Sequence, residues 1–376
     1  MGIRVGLNLL HAMPEIGGVW NYLANLISAL DQNDDDYEYI AFVTDASKHL
    51  LRPKSRIKTV YINIRPISRG QRILFENTGL QYLAHYYSLD CIHWFANTRS
   101  LLSVVPSVVT IYDLLVFRNS QVFSLIKRLY LVNMMKFTAR SASVLLPMSN
   151  FTASDLKRFL GVRPNRIIVI PTIIPAEFSK ASESVIKSFK IKYHLPDKFW
   201  VYVAHTYKHK NHKRLLEAYS QAKLKGLEVW PLVLRGEASD AELELIMAIQ
   251  KLELDRHIIR LPRLDYGEMP VLYSAARALI FPSLFEGGGI PVLEAMACGC
   301  PVVGSDIPPI RDSANDAALY FDPTDVGSIR DSIYRLQTDD ILRNQLSRKG
   351  IERSKEFQQQ KVVSDLHVAY QTAYGK

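Results

Sequence analysis

The sequence predicts two α/β domains, each a parallel sheet with helices on both faces. Three observations carry that prediction. The chain has 376 residues, and single hydrophobic cores stop growing at roughly 250–300 residues. Short apolar runs alternate with segments of helical periodicity, the pattern of βα units around a parallel sheet. The alternation then starts afresh after a proline-punctuated junction, Pro171-Thr172-Ile173-Ile174-Pro175, which marks a domain boundary.

The first series opens with a strand over residues 3–9. Val19, Leu23, Leu26 and Leu30 recur at helical spacing, so residues 19–30 form a helix. Further strands fall at 39–44, 59–64, 91–94, 107–112 and 144–148. The second series runs strand 199–204, helix 212–224, strand 230–235, helix 241–252 and strand 257–261. It continues with helix 268–276, strand 278–281, helix 291–298 and strand 302–305. Residues 328–373 show helical patterns only. The expected division is 1–174, then 175–355, with a C-terminal helix at 356–376 packing back on the first domain. No internal repeat of about 20–50 residues appears, which excludes a solenoid. Doubly wound domains bind ligands outside the C-terminal ends of their strands.

Composition narrows the function classes. Hydrophobic residues make up 48% and charged residues 22%, enough apolar material for two cores and too much for disorder. Three cysteines, Cys91, Cys298 and Cys300, give no disulfide framework and suggest a reducing compartment. Cys298 and Cys300 lack the second pair that a structural zinc needs, so packing is the simpler role. The N-terminus has no basic segment followed by an apolar run and a cleavage site. The longest apolar stretch, 101–117, is interrupted by Pro106 and Asp113 and is too short to span a bilayer. The expected location is cytoplasmic, peripheral at the inner face of the membrane. Residues 1–174 hold 19 Lys and Arg against 11 Asp and Glu, so this half carries +8 of the net +9. That asymmetry suits an anionic partner.

The most informative segment is ALIFPSLFEGGGIPVLEAMACGCPVVGSD, beginning at Ala278. A strand ends at Pro282, and three glycines follow, Gly287, Gly288 and Gly289. Pro291 stands where a helix can start, because its missing N–H would have no partner there. Gly299 and Pro301 end that helix. Glycines admit a ligand close to the backbone, and a helix N-terminus aims free N–H groups and partial positive charge at it. The arrangement suits a diphosphate, with the amides near Gly289 and Ile290 as donors. Glu286 and Glu294 flank it and would accept hydrogen bonds from sugar hydroxyls. The plainer readings are a simple turn for the glycines and a helix-dipole partner for Glu294.

This segment resembles the donor signature of the retaining glycosyltransferases of family 4, which have the GT-B fold of two Rossmann-like domains facing each other across a cleft. The family pattern is E-G-F-G-[LI]-P-x-x-E-A-M-A-C-G-x-P-V-V, and Glu286 and Glu294 occupy its two glutamates. Gly288 stands where the family has Phe. The resemblance extends over nearly the whole chain. Gly17-Gly18-Val19 resembles the family's glycine loop, whose backbone reaches the donor diphosphate from the first domain. In YVAHTYKHKNH, residues 202–212, Lys210 matches the family's lysine, a counter-charge for a leaving diphosphate. The arginine usual six positions earlier is Ala204 here, and Arg235, ending the next strand, is placed to compensate. Residues 109–114 resemble V-x-x-H-D-L, with Tyr112 in place of His and Asp113 retained.

The resemblance implies a metal-independent hexosyl transfer from a nucleoside-diphosphate sugar, with mannose as the expected hexose, to a saccharide or lipid-linked saccharide acceptor in cell-surface polysaccharide assembly. The implied catalytic residues are Lys210, Glu286 and Asp113. Gly17, Gly18, Arg235, Gly287, Gly288, Gly289, Ile290 and Glu294 bind donor. Glu286 holds donor-sugar hydroxyls and Glu294 the ribose. The reaction proceeds by a front-face route or by double displacement. No cofactor, metal or nucleic acid is implied. His205, His209 and His212 do not suggest a metal, because Lys208, Lys210, Lys213 and Arg214 crowd the same segment. A nicotinamide oxidoreductase would need G-x-G-x-x-G after a strand, and none is present. A GT-B epimerase or a catalytically silent sugar-nucleotide-binding relative would share much of the same pattern.

Overall fold

A computed structural model describes residues 2–14, 18–33, 36–64, 68–118 and 123–375. The chain divides into two compact units, Met1–Ile173 with Gln359–Lys376, and Ile174–Gln358. The junction thus falls inside the proline-punctuated segment, between Ile173 and Ile174.

The first unit contains β1 (Arg4–Asn8), α1 (Gly18–Gln32), β2 (Glu38–Val43), β3 (Lys58–Tyr61), α2 (Arg69–Asn77) and α3 (Gly79–Tyr86). It continues with β4 (Cys91–Trp94), β5 (Ser107–Ile111), α4 (Leu115–Arg118), α5 (Leu125–Ser141), β6 (Val144–Pro147) and α6 (Asn150–Leu160). Its strands are all parallel, in the order β3-β2-β1-β4-β5-β6. β4, β5 and β6 are buried throughout, as strands covered on both faces must be. α1 turns Tyr22, Leu23, Leu26, Ile27 and Leu30 inward, the stripe that its periodicity predicts.

The second unit contains α7 (Glu183–Lys192), β7 (Trp200–Val203), α8 (His212–Leu224), β8 (Leu232–Arg235), α9 (Glu242–Lys251), β9 (Ile258–Arg260) and α10 (Met269–Ala275). β10 (Ala278–Phe281), α11 (Ile290–Ala297), β11 (Val302–Ser305), α12 (Pro308–Ala314), β12 (Ala318–Phe321), α13 (Val326–Thr338) and α14 (Asp340–Ser354) follow. Its sheet is ordered β12-β11-β10-β7-β8-β9. Renumbered within each unit, both sheets have the order 3-2-1-4-5-6 of the doubly wound dinucleotide-binding fold. The strand order therefore reverses between β1 and β4 in one unit and between β7 and β10 in the other.

The last helix, α15 (Gln359–Tyr374), returns to the first unit. It buries Val362, Val363, Leu366, Ala369, Tyr370 and Ala373. Polar contacts fix its register. The Tyr370 hydroxyl lies 2.9 Å from His93 Nδ1 on β4, and His93 Nε2 lies 2.8 Å from Thr110 Oγ1 on β5. Burial pushes the His93 pKa down to about 3, so the ring is a neutral bridge between helix and sheet. His367 stacks on Tyr37 at 4.1 Å and bonds the Tyr39 hydroxyl at 2.9 Å.

Candidate active site

Ligands of doubly wound sheets bind where the strand order reverses, beyond the C-terminal ends of the two strands involved. In the second unit those strands are β7 and β10, and the loops that leave them carry Lys210 and Glu286. Beyond β7 the chain makes a single 3₁₀ turn, Lys208–Lys210, and Asn211 then takes a left-handed φ of 62°. Asn211 is buried, and its Nδ2 donates to the carbonyls of Pro282 at 2.9 Å and Pro323 at 2.8 Å. The Leu284 N–H donates to the His209 carbonyl at 2.8 Å, and the Tyr202 hydroxyl to the Lys210 carbonyl at 2.5 Å. These bonds hold the β7 and β10 loops together independently of any charge.

On that frame Lys210 Nζ lies 2.6 Å from Glu286 Oε1, with the two side chains 17% and 10% exposed. Removing two charges from water costs more than their attraction commonly returns. A pair this enclosed is therefore weak evidence of a stabilising role.

The glycine loop leads from Glu286 into α11. Gly289 has φ 58°, and a Cβ there would come within 2.9 Å of Ile310 Cδ1, so the position requires glycine. The Gly288 carbonyl accepts from Ser313 Oγ at 2.7 Å, which steadies the loop from α12. Among the described residues a Cβ on Gly288 would meet nothing within 4 Å. The substitution of glycine for the family's Phe therefore leaves open space beside the backbone. Ile290 opens the helix and Pro291 follows it.

Glu294 is buried on α11 and accepts from the Tyr273 hydroxyl at 2.8 Å. Burial pushes its carboxyl up to about 7, against the opposing pull of Tyr273, Arg235 and Tyr266. Arg235 pairs in register with Val203, so its charge stands on the strand beside Ala204, where the family's arginine is absent. Its Nη2 donates to the Leu264 carbonyl at 3.2 Å, and its buried Nε has no partner among the described residues. His205 accepts the Glu237 N–H on Nδ1 at 3.0 Å. Its pKa is lowered by burial and by Arg235 and Lys210. His212 packs on the Tyr202 ring at 4.7 Å, and burial lowers its pKa to about 4. Among the described residues no group of three or more His, Cys, Asp or Glu is arranged to hold a metal.

Two family models match the chain, Glycosyltransferase Family 4 over residues 16–178 and Glycosyl transferases group 1 over residues 186–353. The chain belongs to glycosyltransferase family 4. It is 27% identical to O-antigen chain mannosyltransferase B of Escherichia coli over 70% of both chains. It is also 27% identical to O-antigen chain mannosyltransferase RfbU of Salmonella typhimurium, over 61% of this chain and 60% of that one. The match to the serotype-specific mannosyltransferase WbdA of Escherichia coli spans only 27% of that longer protein. Among solved structures, Anabaena HepE in complex with UDP-glucose superposes with a TM-score of 0.76 over 100% of both chains at 19% identity. The sucrose-phosphate synthase of Thermosynechococcus elongatus does so with 0.80 over 99% of both chains at 18% identity. These likenesses establish the GT-B fold for this glycosyltransferase.

The family's first-domain motifs fall in the other unit. Gly18 opens α1, and among the described residues a Cβ there would meet nothing within 4 Å. Gly17 lies outside the described residues. Asp113 accepts from the Leu115 N–H at 2.9 Å at the start of α4, and burial raises its carboxyl pKa. The Tyr112 ring packs edge-on against Tyr22 at 5.6 Å. Burial holds its phenol well above the ordinary value, so the hydroxyl stays protonated at neutral pH. Two residues that sequence reasoning missed stand out at the second-unit site. Asn211 lies inside the H-K-N-H segment, but only the fold shows its double bridge. Tyr273 gave no signal beyond an aromatic in a helical run.

Proposed function

We propose that this glycosyltransferase moves a hexose, mannose in keeping with its O-antigen relatives, from a nucleoside-diphosphate sugar to a saccharide or lipid-linked saccharide acceptor during cell-surface polysaccharide assembly. The observation that carries the reading is the enclosed Lys210–Glu286 pair beside the Gly287–Gly289 loop at a strand-order reversal. Lys210, Arg235 and the amides at Gly289 and Ile290 neutralise the departing diphosphate, where charge develops as the glycosyl bond breaks. Glu286 takes donor-sugar hydroxyls and Glu294 the ribose. Gly17, Gly18 and Asp113 serve the reaction from the first unit. The Asp113 carboxylate, held by the Leu115 N–H two residues beyond β5, supports its part in this reading.

The test is release of free nucleoside diphosphate from GDP-, UDP-, ADP- and dTDP-sugars, with thermal shifts ranking the bases. One donor class should raise the melting temperature and be turned over. Absence of binding to all four bases overturns the reading. Because protein cations and amides face the diphosphate, turnover should persist in excess EDTA. Complete inactivation by chelator, reversed by magnesium, overturns that part.

Membrane attachment of the first unit belongs to the same proposal. Among the described residues no helix is long and apolar enough to cross a bilayer. The first turns of α5 project instead, with Leu125 69%, Ile126 83% and Leu129 55% exposed. Lys127, Arg128, Lys136 and Arg140 are exposed on the same helix. Its later apolar side chains divide differently. Met135 is buried, and Leu131 and Val132 pack against the core. Leu74 on α2 and Leu101, Leu102 and Val104 are also exposed. That loop is tied to α2 and α3, because Asn77 Oδ1 accepts from Leu101 N at 2.9 Å and Gln81 Oε1 from Val104 N at 3.0 Å. Arg52, Lys54, Arg56, Lys58, Arg69 and Arg72 add charge to the unit, and Arg65 lies outside the described residues.

Exposed apolar residues beside basic ones suit an interface. Each basic group near an anionic leaflet contributes about 1 kcal/mol. Liposome co-sedimentation should show binding to anionic vesicles that weakens as salt rises. It should fall when Lys127, Arg128, Lys136 and Arg140 become Ser. Equal binding to neutral and anionic vesicles, or none to either, overturns membrane attachment.

A further inference from the structure

The amides near Gly289 and Ile290 serve a diphosphate only if their N–H groups face it, and the direction of the first has an identifiable cause. The peptide that joins Gly288 to Gly289 has a glycine on each side, so no side chain restricts its rotation. In a trans peptide the carbonyl and the N–H point in opposite directions. Holding the Gly288 carbonyl therefore aims the Gly289 N–H. The holder is Ser313 Oγ, which donates to that carbonyl at 2.7 Å. Ser313 is buried, and so is Ile310, three residues earlier on the same face of α12. A Cβ at Gly289 would stand 2.9 Å from Ile310 Cδ1 and 3.6 Å from Ser313 Oγ, so the loop lies directly on this face.

α12 is seven residues long, too short to hold its own last turn by helical bonds alone. The last four carbonyls of a helix have no partner within it, and here each finds one outside. Arg311 accepts from the Asn315 N–H and Ala314 from the Ala317 N–H, both at 2.8 Å. The other two are taken by Arg353 of α14, which donates Nε to the Ser313 carbonyl at 3.0 Å and Nη2 to the Asp312 carbonyl at 2.7 Å. The guanidinium is held in turn. Its Nη1 pairs with Glu356, and it lies over the Phe357 ring, 5.1 Å from the centroid. Every nitrogen of this side chain is engaged, which fixes its direction.

We propose that Ser313 and Arg353 are positioning residues for transfer: Arg353 caps the end of α12, Ser313 holds the Gly288 carbonyl, and the Gly289 N–H is thereby aimed at the departing diphosphate. The proposal rests on the reading of the glycine loop as the diphosphate site. Neither side chain needs to touch the donor. Without Arg353 the Asp312 and Ser313 carbonyls lose their partners and the last turn of α12, which carries the Ser313 hydroxyl, loosens. Without that hydroxyl the peptide between the two glycines is free to turn over. A turned peptide presents a carbonyl where the phosphate oxygens stand, so the negative end of a dipole replaces the positive one.

The experiment compares the full chain with Ser313→Ala, Arg353→Met and the double variant. Methionine keeps the packing against Phe357 without the donors. Two quantities are read on the same samples: steady-state release of nucleoside diphosphate from the donor, and binding of GDP, UDP, ADP and dTDP and of the corresponding nucleosides by saturation-transfer NMR. In Ser313→Ala kcat should fall about tenfold and the Kd of the preferred diphosphate should rise about tenfold, the low end for a hydrogen bond to a charged group. Affinity for the matching nucleoside should not change, because the amide faces phosphate and not base. Arg353→Met should move the same quantities in the same direction by less. The double variant should be no worse than Ser313→Ala, because both residues act through one carbonyl. If Arg353→Met does not fold, the diphosphate and nucleoside affinities of Ser313→Ala decide. Normal kcat and diphosphate affinity in Ser313→Ala, nucleoside affinity that falls in step with the diphosphate, or losses that multiply in the double variant overturn the proposal. No diphosphate binding by the unaltered protein sinks the reading of the loop as a diphosphate site and the proposal with it, whereas binding that is indifferent to Ser313 sinks the proposal alone.

Discussion

Lys210→Ala and Glu286→Ala should each lower transfer by about 10²–10³ while leaving the protein folded, the usual cost of removing one preorganised charge-stabilising contact. The fold should survive because the loops are held by other bonds. Asn211 bridges Pro282 and Pro323, and Leu284 bonds the His209 carbonyl, whatever residue stands at 210. The rate should not survive, because each residue also orients the other across 2.6 Å. Lysine removal leaves an enclosed carboxylate turned toward the diphosphate, and glutamate removal frees the ammonium to move. The double variant should therefore cost much less than the product of the two single losses, as expected of groups acting as a unit. Turnover by purified variants, with circular dichroism and melting temperature as fold controls, checks this. Near-normal turnover in either folded variant removes that residue from the site.

The alternation of strands and helices in both units follows from patterns that the sequence displays openly, whereas the order of the strands is given by the structure. Runs such as Trp200–Val203 and Ala278–Phe281 are continuous and apolar because both faces of the sheet are covered. Expected strand ends overshot by one to three residues where an apolar residue continues past the strand. Ala204 is one case, since it bonds the Arg235 carbonyl from outside β7. β12 and α7 went unread. The first is a four-residue edge strand, and the second buries only Ile186 and Phe189 on a helix that is otherwise polar.

The glycine loop was legible because its backbone demand is local, and Gly289 does take a left-handed φ. The Lys210–Glu286 contact was not legible, because 76 residues separate the partners and only the adjacency of β7 and β10 joins them. Arg235 is an intermediate case. Its position at a strand end was readable, but its registry beside Val203 required the sheet.

The pH dependence of donor binding should turn on Glu294. Ribose hydroxyls donate best to an ionised carboxylate, and burial has moved this carboxyl up to about 7. Below that midpoint the site is increasingly protonated, so the donor KM should rise by up to about tenfold per pH unit. Stability of the ligand-free protein runs the other way. A carboxyl raised in the folded state contributes stability below its ordinary pKa, and that contribution is lost as pH rises through about 7. Donor-induced stabilisation should thus grow over the interval in which the free protein weakens. Tyr273 supplies the internal control. Its hydroxyl, 2.8 Å from Glu294 Oε2, favours the charged form, so Tyr273→Phe should move the KM midpoint to higher pH. Glu294→Gln should bind donor weakly with a flat profile. Steady-state kinetics from pH 5.5 to 8.5 read all three proteins. A donor KM that stays constant through neutrality in the unaltered enzyme, or a midpoint unmoved in Tyr273→Phe, would take the carboxylate of Glu294 out of the donor site.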